Sequence, residues 1–166
     1  TVYRLDKTGL ERIPEQGPAL IVCNHVSFVD ALVIAAACPR PIRFVMDHNI
    51  FKLPVLSFVF RTGKAIPIAP AREDPEPTKR AFETVAEALR DGDLVGIFPE
   101  GRITDTGEFY PFKNGISRIL EQTPVPVVPM ALRGLWGSFF SRKDGRAMSK
   151  PWRLRPLRRI GLAVGT

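Results

Sequence analysis

The chain has 166 residues, of which 45% are hydrophobic, and its 24 basic and 17 acidic side chains give a formal net charge of +7. This length and composition exclude a disordered chain and predict one folded domain with a substantial core. No apolar run in the sequence approaches the roughly 20 residues that a membrane-spanning helix needs.

The positive charge predicts an anionic partner, such as a membrane surface or an acidic carrier protein. Nucleic acid is not expected, because the sequence has neither a recognised binding motif nor a strand on which aromatic and basic residues alternate. Cys23 and Cys38 lie in apolar surroundings without a CxxC pair, which predicts buried free thiols and no metal site. The sequence begins without methionine and stops directly after an apolar run, so we expect residues 1–166 to be a domain cut from a longer protein.

Apolar runs and helical patterns alternate along the chain after a polar segment at 1–18 that ends in a turn. Strands are predicted at 19–23, 42–46, 65–68, 94–98, 125–132 and 160–164, with 125–132 buried. Helices are predicted at 27–37, 53–60, 78–91 and 116–122, and a surface loop at 69–77. This order predicts a single α/β domain with a largely parallel or mixed twisted sheet flanked by helices. Pro67 assigns its strand to a sheet edge.

The loop after the first predicted strand carries the candidate catalytic residue, His25. Ser27 followed by Asp30 has the form of a capping box, which favours a helix start at this point. Asp30 is then expected one turn into the helix, from where its carboxylate can reach back to His25. A histidine oriented by a carboxylate is suited to general-base catalysis near neutral pH. The alternative is that Asp30 only caps the helix and His25 is structural.

Three further stretches are candidates for ligand contact. The loop Glu100–Arg102 also follows a predicted strand, so it and the His25 loop are expected at the edge where the carboxyl ends of parallel strands bind ligands. The apolar segment 53–60 is either core or a surface for lipid chains. From 133 to 166, tryptophan and phenylalanine are mixed with arginine and lysine, a composition that suits anionic headgroups or belongs to a solvated charged segment.

Several motifs together resemble those of the glycerolipid (lysophosphatidate-type) acyltransferases. In chain order they are Asn24-His25-x-Ser27-x-x-Asp30, Phe98-Pro99-Glu100-Gly101-Arg102, Phe112-Lys113-Asn114-Gly115 and Val127-Val128-Pro129. The resemblance covers residues 17–132 and implies a single domain of the glycerol-3-phosphate acyltransferase type. It also implies that Asn24, Ser27, Phe98, Pro99 and Pro129 support the motifs.

The resemblance implies a mechanism that uses neither a cofactor nor a metal. His25, oriented by Asp30, would take the proton from a glycerol hydroxyl, and the alkoxide would attack the thioester of the co-substrate, acyl-CoA or acyl-ACP (acyl carrier protein). An attack by substrate oxygen needs no enzyme nucleophile, which fits the absence of GxSxG and of a Cys–His signature. The chain's other histidine, His48, is interpreted as structural or as lining the site.

The acceptor of such a reaction carries a phosphate, which requires cations or helix N-termini. Arg102 is the first candidate, because a guanidinium can bind phosphate through paired hydrogen bonds. The resemblance associates Glu100 with the acceptor; the alternative is an ion pair with Arg102 or a cap on a following turn. Gly101 would let the backbone approach the ligand or adopt a positive φ. Lys113, from the FKxG element, completes this set of acceptor-binding candidates.

Two departures from the family pattern bear on specificity. Arg102 follows Gly101 directly, whereas the family has its arginine one position later. The arginine of the second motif is absent in register, so Lys64, Arg61 or Arg72 is expected to replace it.

These variants look most like the acyltransferase domain of the bacterial bifunctional 2-acylglycerophosphoethanolamine acyltransferase/acyl-ACP synthetase. That group implies lysophosphatidylethanolamine as acceptor and a fused acyl-activating domain. It also implies a location on the cytoplasmic side of the bacterial inner membrane, peripheral or within a larger membrane protein. The alternatives are acylation of lysophosphatidate with acyl-CoA, a non-catalytic lipid-binding module at a membrane surface, and a hydrolase of lipid esters or thioesters.

Overall fold

The computed structural model describes residues 3–52, 54–69, 75–155 and 158–166. Within these residues the strands form one seven-stranded sheet. The strands are β1 (Tyr3–Thr8), β2 (Ala19–Cys23), β3 (Ile42–Asp47), β4 (Ile66–Ile68), β5 (Leu94–Ile97), β6 (Val127–Arg133) and β7 (Arg158–Val164). The α-helices are α1 (Asp30–Ala37), α2 (Pro54–Thr62), α3 (Pro75–Arg90) and α4 (Gly115–Gln122). Short 3-10 turns occupy Leu10–Arg12, His48–Lys52 and Pro151–Arg153.

The sheet has the strand order β1-β7-β6-β2-β5-β3-β4. The five strands β2 to β6 are parallel to their neighbours among themselves, whereas β7 pairs antiparallel with β6 and parallel with β1. The sheet is therefore mixed with a parallel centre, and the predicted fold class is confirmed. The strand with Pro67 lies at the edge, as expected.

Helices cover the centre of the sheet on both faces. Buried residues of α1 and α2 pack with alternate residues of β2, such as Ile21, in one cluster. Residues of α3 and α4 pack with the intervening residue Leu20 in a second cluster. Because both faces of β2 are buried, its sequence is a continuous apolar run, which is why the strand could be predicted. None of the described helices has the length and hydropathy needed to cross a bilayer.

Strand β1 lies inside the segment 1–18, for which the sequence predicts only polar character and a final turn. It pairs with β7 through six residue positions, and only Tyr3 and Leu5 pack against the core. At the edge of a sheet, two inward-facing apolar residues are enough to hold a strand against the core, because its other face and its outer side meet solvent. The alternation of these two apolar residues with polar ones is too short to predict a strand among the charged residues around it.

Strand β6 was predicted to be buried, and this is correct for one face only. Val128, Met130 and Leu132 are buried, while the alternating residues Val127 and Arg133 are exposed. The helices α3 and α4 cover the sheet near β2 and β5 but do not extend over this side of β6.

Helix α1 begins at Asp30 rather than at Ser27, so Asp30 is its first residue and not one turn inside. Only half of the expected capping box forms: the Asp30 carboxylate accepts a hydrogen bond from the Ser27 backbone N–H, but Val29 is the N-cap and provides no side-chain cap. Helix α3 likewise begins earlier than predicted, at Pro75, which shortens the predicted 69–77 loop.

Candidate active site

The two loops with family motifs meet at the carboxyl edge of the sheet. Strands β2 and β5 are parallel neighbours with Val22 opposite Ile97, so His25 and Glu100 each lie three residues beyond this pair. The two loops are joined directly, because the His25 backbone N–H donates to Glu100 Oε1 at 2.9 Å. The expectation that both loops share one edge is confirmed.

His25 and Asp30 form the central pair of the site. His25 Nδ1 lies 2.9 Å from Asp30 Oδ2, and the Asp30 side chain is fully buried. The same oxygen accepts the backbone N–H groups of Val26 at 2.6 Å and Ser27 at 2.9 Å, while Oδ1 accepts the Ser27 hydroxyl at 2.6 Å. A carboxylate on Nδ1 selects the tautomer with its proton there and leaves the Nε2 lone pair available for a substrate proton. No described residue hydrogen-bonds Nε2.

The plane of the imidazole is fixed by an aromatic stack. The rings of His25 and Phe98 are 4.0 Å apart and 13° from parallel, and Phe98 is in turn 5.8 Å from Phe44 of β3. Gly96 of β5 makes room for this stack, because a Cβ atom there would lie 2.5 Å from the Phe44 ring. The stack and Asp30 together hold the imidazole in one orientation.

Glu100 connects two loops of the site through hydrogen bonds from their backbones. Its side chain is 2% exposed, and its second oxygen, Oε2, accepts the Tyr110 backbone N–H at 2.8 Å. Both oxygens are therefore occupied by backbone donors from two different loops. The alternative that Glu100 pairs with Arg102 is wrong, because the described partners of Arg102 are Asp105 and the Tyr110 hydroxyl.

Arg102 belongs to an exposed cluster on the loop before α4. Its guanidinium lies 3.2 Å from Asp105 and 3.1 Å from the Tyr110 hydroxyl, and it stacks over the Tyr110 ring at 4.2 Å. Tyr110 also donates its hydroxyl to Asp105, and this hydrogen bond lowers the pKa of Asp105 and raises the pKa of Tyr110. Arg102 can meet a phosphate only by sharing or exchanging these partners.

Of the other cations predicted to bind the acceptor, Lys113 lies at the Gly101 loop and Lys64 lies away from His25. Gly101 has φ +65°, and the Lys113 side chain lies so close that a Cβ on Gly101 would be 2.8 Å from its Nζ. Lys64 precedes β4, which is separated from β2 by β5 and β3. Three strand spacings amount to about 14 Å, so the sheet does not bring Lys64 to His25. Arg72 lies outside the described residues.

Several motif residues have structural contacts. The Asn24 side-chain amide pairs with the Leu132 backbone at 2.9 and 2.7 Å, and Pro129 lies opposite Val22 in the sheet. Pro99 accepts the Lys113 backbone N–H. These contacts fasten β6 and the Lys113 loop to the two motif loops.

The segment 139–141 is a support that sequence reasoning missed. The Phe28 backbone N–H donates to the Phe140 carbonyl at 3.1 Å, and Ser27 and Ser141 form a β-bridge. The aromatic and basic composition of this region predicts contact with headgroups or solvent and not packing against another loop. No local pattern in the sequence indicates a bridge to a loop more than a hundred residues away.

A cavity of about 200 Å³ lies behind the His25 loop, with Asn24, Val26, Trp136 and Arg133 among its lining residues. His25 does not line it. Arg133 has no side-chain hydrogen bond or ion pair to the part of the chain that the structure describes. Sequence analysis did not select Arg133, although its position at the carboxyl end of a parallel strand is a signal for ligand contact.

The remaining titratable candidates are two cysteines and the second histidine. Cys23 is buried and Cys38 half-buried; burial raises the pKa of both thiols, for Cys38 to about 11. His48 begins the 3-10 turn after β3, and its Nδ1 is 3.8 Å from the Asp47 carboxylate. Among the described residues, no group of three or more His, Cys, Asp or Glu side chains could hold a metal ion.

Comparison with known proteins places these features in a family. The 1-acyl-sn-glycerol-3-phosphate acyltransferase of Brassica napus chloroplasts is 32% identical over 133 residues, which are 80% of this chain and 38% of that protein. The enzyme of that name in Bacillus subtilis is 30% identical over 125 residues, which are 75% of this chain and 60% of that protein. This chain thus spans less than two thirds of the length of these relatives.

The fold has a counterpart of known structure. The crystal structure of the 1-acyl-sn-glycerophosphate (LPA) acyltransferase from Thermotoga maritima superposes with a TM-score of 0.73 at 22% identity, and the match covers 98% of this chain and 60% of that one. The family model described as Acyltransferase matches residues 4–133, which include the His25 and Glu100 loops. The chain therefore belongs to the acyltransferase family.

Proposed function

We propose that this chain transfers a fatty acyl group from an acyl thioester to a free glycerol hydroxyl of a lysophospholipid. His25 Nε2 removes the hydroxyl proton, and the oxygen attacks the thioester carbon to form a tetrahedral intermediate. The C–S bond then breaks, and the leaving thiolate takes the proton from the imidazolium. Asp30 holds the imidazole in place and stabilises its positive charge during transfer.

The observation that carries this proposal is the contact of His25 Nδ1 with the buried carboxylate of Asp30. A merely capping Asp30 would not require an imidazole on the same oxygen that receives the loop amides. The arrangement contains no serine or cysteine in hydrogen-bond contact with His25 in the described residues, which supports direct attack by the acceptor.

For the acceptor we propose lysophosphatidate, because the relatives of Brassica napus and Bacillus subtilis are named for acylation of 1-acylglycerol 3-phosphate. Lysophosphatidylethanolamine is the second candidate. It is favoured by the engagement of Arg102 with Asp105 and Tyr110, because a phosphodiester carries less charge than a phosphomonoester and needs fewer free cations.

The acyl donor is proposed to be acyl-CoA or acyl-ACP. The net charge of +7 supports both candidates, since coenzyme A and acyl carrier protein are anionic. A fused acyl-activating domain and a position on the cytoplasmic side of the membrane remain proposals from the motif variants.

The test is an acyl-transfer assay with a radiolabelled acyl thioester and a panel of lysophospholipids. We expect His25→Ala to lower kcat by about 100-fold or more, the usual contribution of a general base. Asp30→Asn should lower kcat strongly as well, because the carboxylate that orients the imidazole is lost.

A reaction without any lysolipid separates transfer from hydrolysis, since a hydrolase would release free fatty acid there. His48→Ala provides the matched histidine control and should retain turnover. Normal turnover by a folded His25→Ala variant would eliminate the proposed mechanism. A loss of stability without a loss of kcat in Asp30→Asn would reduce Asp30 to a helix-capping role.

A further inference from the structure

The outward face of α2 carries large apolar side chains that the described chain leaves uncovered. Val55, Phe58 and Val59 are spaced three and four residues apart, which places them on one face of the helix, and they are 78%, 74% and 39% exposed. The opposite face holds the helix in place, because Phe60 is buried and Leu56 packs against the core. Contiguous apolar exposure of this kind marks an interaction site.

Helix α1 lies on the same side of the sheet and is also apolar on its outward face. Its sequence is DALVIAAA, in which the one polar side chain, Asp30, is buried in the site. Ala35 and Ala36 are exposed, and Leu32 and Val33 are half-buried. A helix that is apolar all round is normally covered on every side or in contact with lipid. We call this side of the sheet, with α1 and α2, the α1–α2 face.

The imidazole of His25 belongs to the α1–α2 face. It stacks on Phe98, which is part of the core cluster beneath α1 and α2, and it bonds Asp30, the first residue of α1. A hydrophobic phase against this face would therefore adjoin the reacting nitrogen.

Positive charge borders the α1–α2 face. Lys52 precedes α2 and Arg61 and Lys64 close it, all exposed, and no acidic residue occurs between 48 and 72. At the other end, exposed Arg142 directly follows Ser141, which bridges to the loop that leads into α1. Lysine and arginine around an apolar patch are the pattern of a surface that binds anionic headgroups.

We propose that the α1–α2 face docks on an anionic lipid bilayer, with Val55 and Phe58 inserted among the acyl chains and the bordering cations on the headgroups. The docking itself does not depend on the proposed function. Its consequence, that His25 gains access to lipid, rests on that function. The charges favour lipid over a second copy of the chain, because two such faces would bring like-charged borders together in a molecule of net charge +7.

The test measures co-sedimentation of the purified chain with vesicles of phosphatidylcholine, alone or mixed with phosphatidylglycerol. The variant Val55→Ser/Phe58→Ser removes the inserted side chains. Trp152→Ser/Leu154→Ser is the matched control, since these residues are 72% and 50% exposed in the C-terminal segment. Lys52→Gln/Lys64→Gln tests the charged border. Circular dichroism checks the fold of each variant.

We expect binding to the mixed vesicles to fall roughly tenfold for each apolar side chain removed from α2 and about fivefold for each lysine. The Trp152/Leu154 control should bind as the unmodified chain does. Turnover of a dispersed short-chain lysolipid should be unaffected in the α2 variant, which separates a docking defect from a catalytic one.

Three results would overturn the docking proposal: no binding of the unmodified chain to mixed vesicles, equal binding by the α2 variant, or loss of binding only in the Trp152/Leu154 variant. A dimer in analytical ultracentrifugation that the α2 variant dissociates would also overturn it, by showing that the face is an interface between copies. Vesicle binding without transfer in any assay would refute the proposed function and leave the docking intact.

Discussion

Three consecutive backbone N–H groups at the centre of the site donate to buried carboxylates. The amide of His25 donates to Glu100, and those of Val26 and Ser27 donate to Asp30. The loop therefore takes its conformation from groups that are present before any substrate arrives. Under the proposed function, this preorganisation means that the acceptor does not have to order His25 before the proton is transferred.

Glu100 is best tested by Glu100→Gln, which keeps the size of the side chain but replaces one acceptor oxygen with an NH₂ group. One of two buried backbone N–H groups, of His25 or Tyr110, would lose its partner at a cost of about 1–3 kcal/mol. We expect a lower melting temperature and a kcat reduced at least about tenfold, with the KM for acceptor unchanged. Steady-state kinetics and thermal unfolding measure the two effects.

Glu121→Gln, on the exposed side of α4, is the matched substitution and should alter neither quantity. If Glu100→Gln instead raised KM and left kcat intact, Glu100 would be a contact of the acceptor. The family resemblance alone favours that role.

At the scale of elements, β5 supports the His25 imidazole through two aromatic rings, one from β3 and one that follows β5 directly. Gly96 leaves space for Phe44, Phe44 stacks on Phe98, and Phe98 stacks on His25. The position of His25 thus depends on a residue of β5 that has no side chain.

Gly96→Ala should disturb this stack, because the added methyl group would lie 2.5 Å from the Phe44 ring. Overpacking of this kind costs about 1–3 kcal/mol of stability, and we expect kcat to fall as Phe98 is displaced. The double variant Gly96→Ala/Phe44→Leu should recover part of the activity.

Gly63→Ala serves as control, since a Cβ there has no neighbour nearer than 3.5 Å. Full activity of Gly96→Ala with unchanged melting would show that the stack does not position His25.

The elements also show what sequence patterns can and cannot predict. Strand β2 was predictable because both of its faces are buried, and His25 with Asp30 because their spacing is short. The partners of Glu100 were not, because His25 is 75 positions away and only the sheet register brings the two together. Arg102 was a reasonable phosphate ligand by residue type, but its engagement by Tyr110, eight residues on, follows from the path of the loop.

At the scale of the molecule, the first and last strands of the chain are adjacent. β1 and β7 form a parallel pair, and β7 also pairs with β6, which borders β2. The order of the far end of the sheet therefore depends on residues distant in sequence, whereas the edge with His25 and Glu100 depends on β2 and β5.

Deletion of residues 1–8 should lower stability by about 3 kcal/mol, because Tyr3 and Leu5 leave the core and β7 loses a partner. We expect hydrogen exchange to accelerate in β7 and to remain slow in β2 and β5. Leu5→Ala should produce a smaller change of the same kind. Unchanged protection of β7 in the deleted chain would show that β1 adds nothing to the order of the sheet.

The two ends of the sheet have a consequence for how the molecule behaves at high local concentration. β4 is three residues long with exposed Pro67 at its centre, and β1 turns Arg4, Asp6 and Lys7 outward. A proline lacks the N–H group that another chain would pair with, and charges beside an open strand repel added strands. Molecules crowded on a surface can thus lie side by side without joining into the continuous sheets from which aggregates grow.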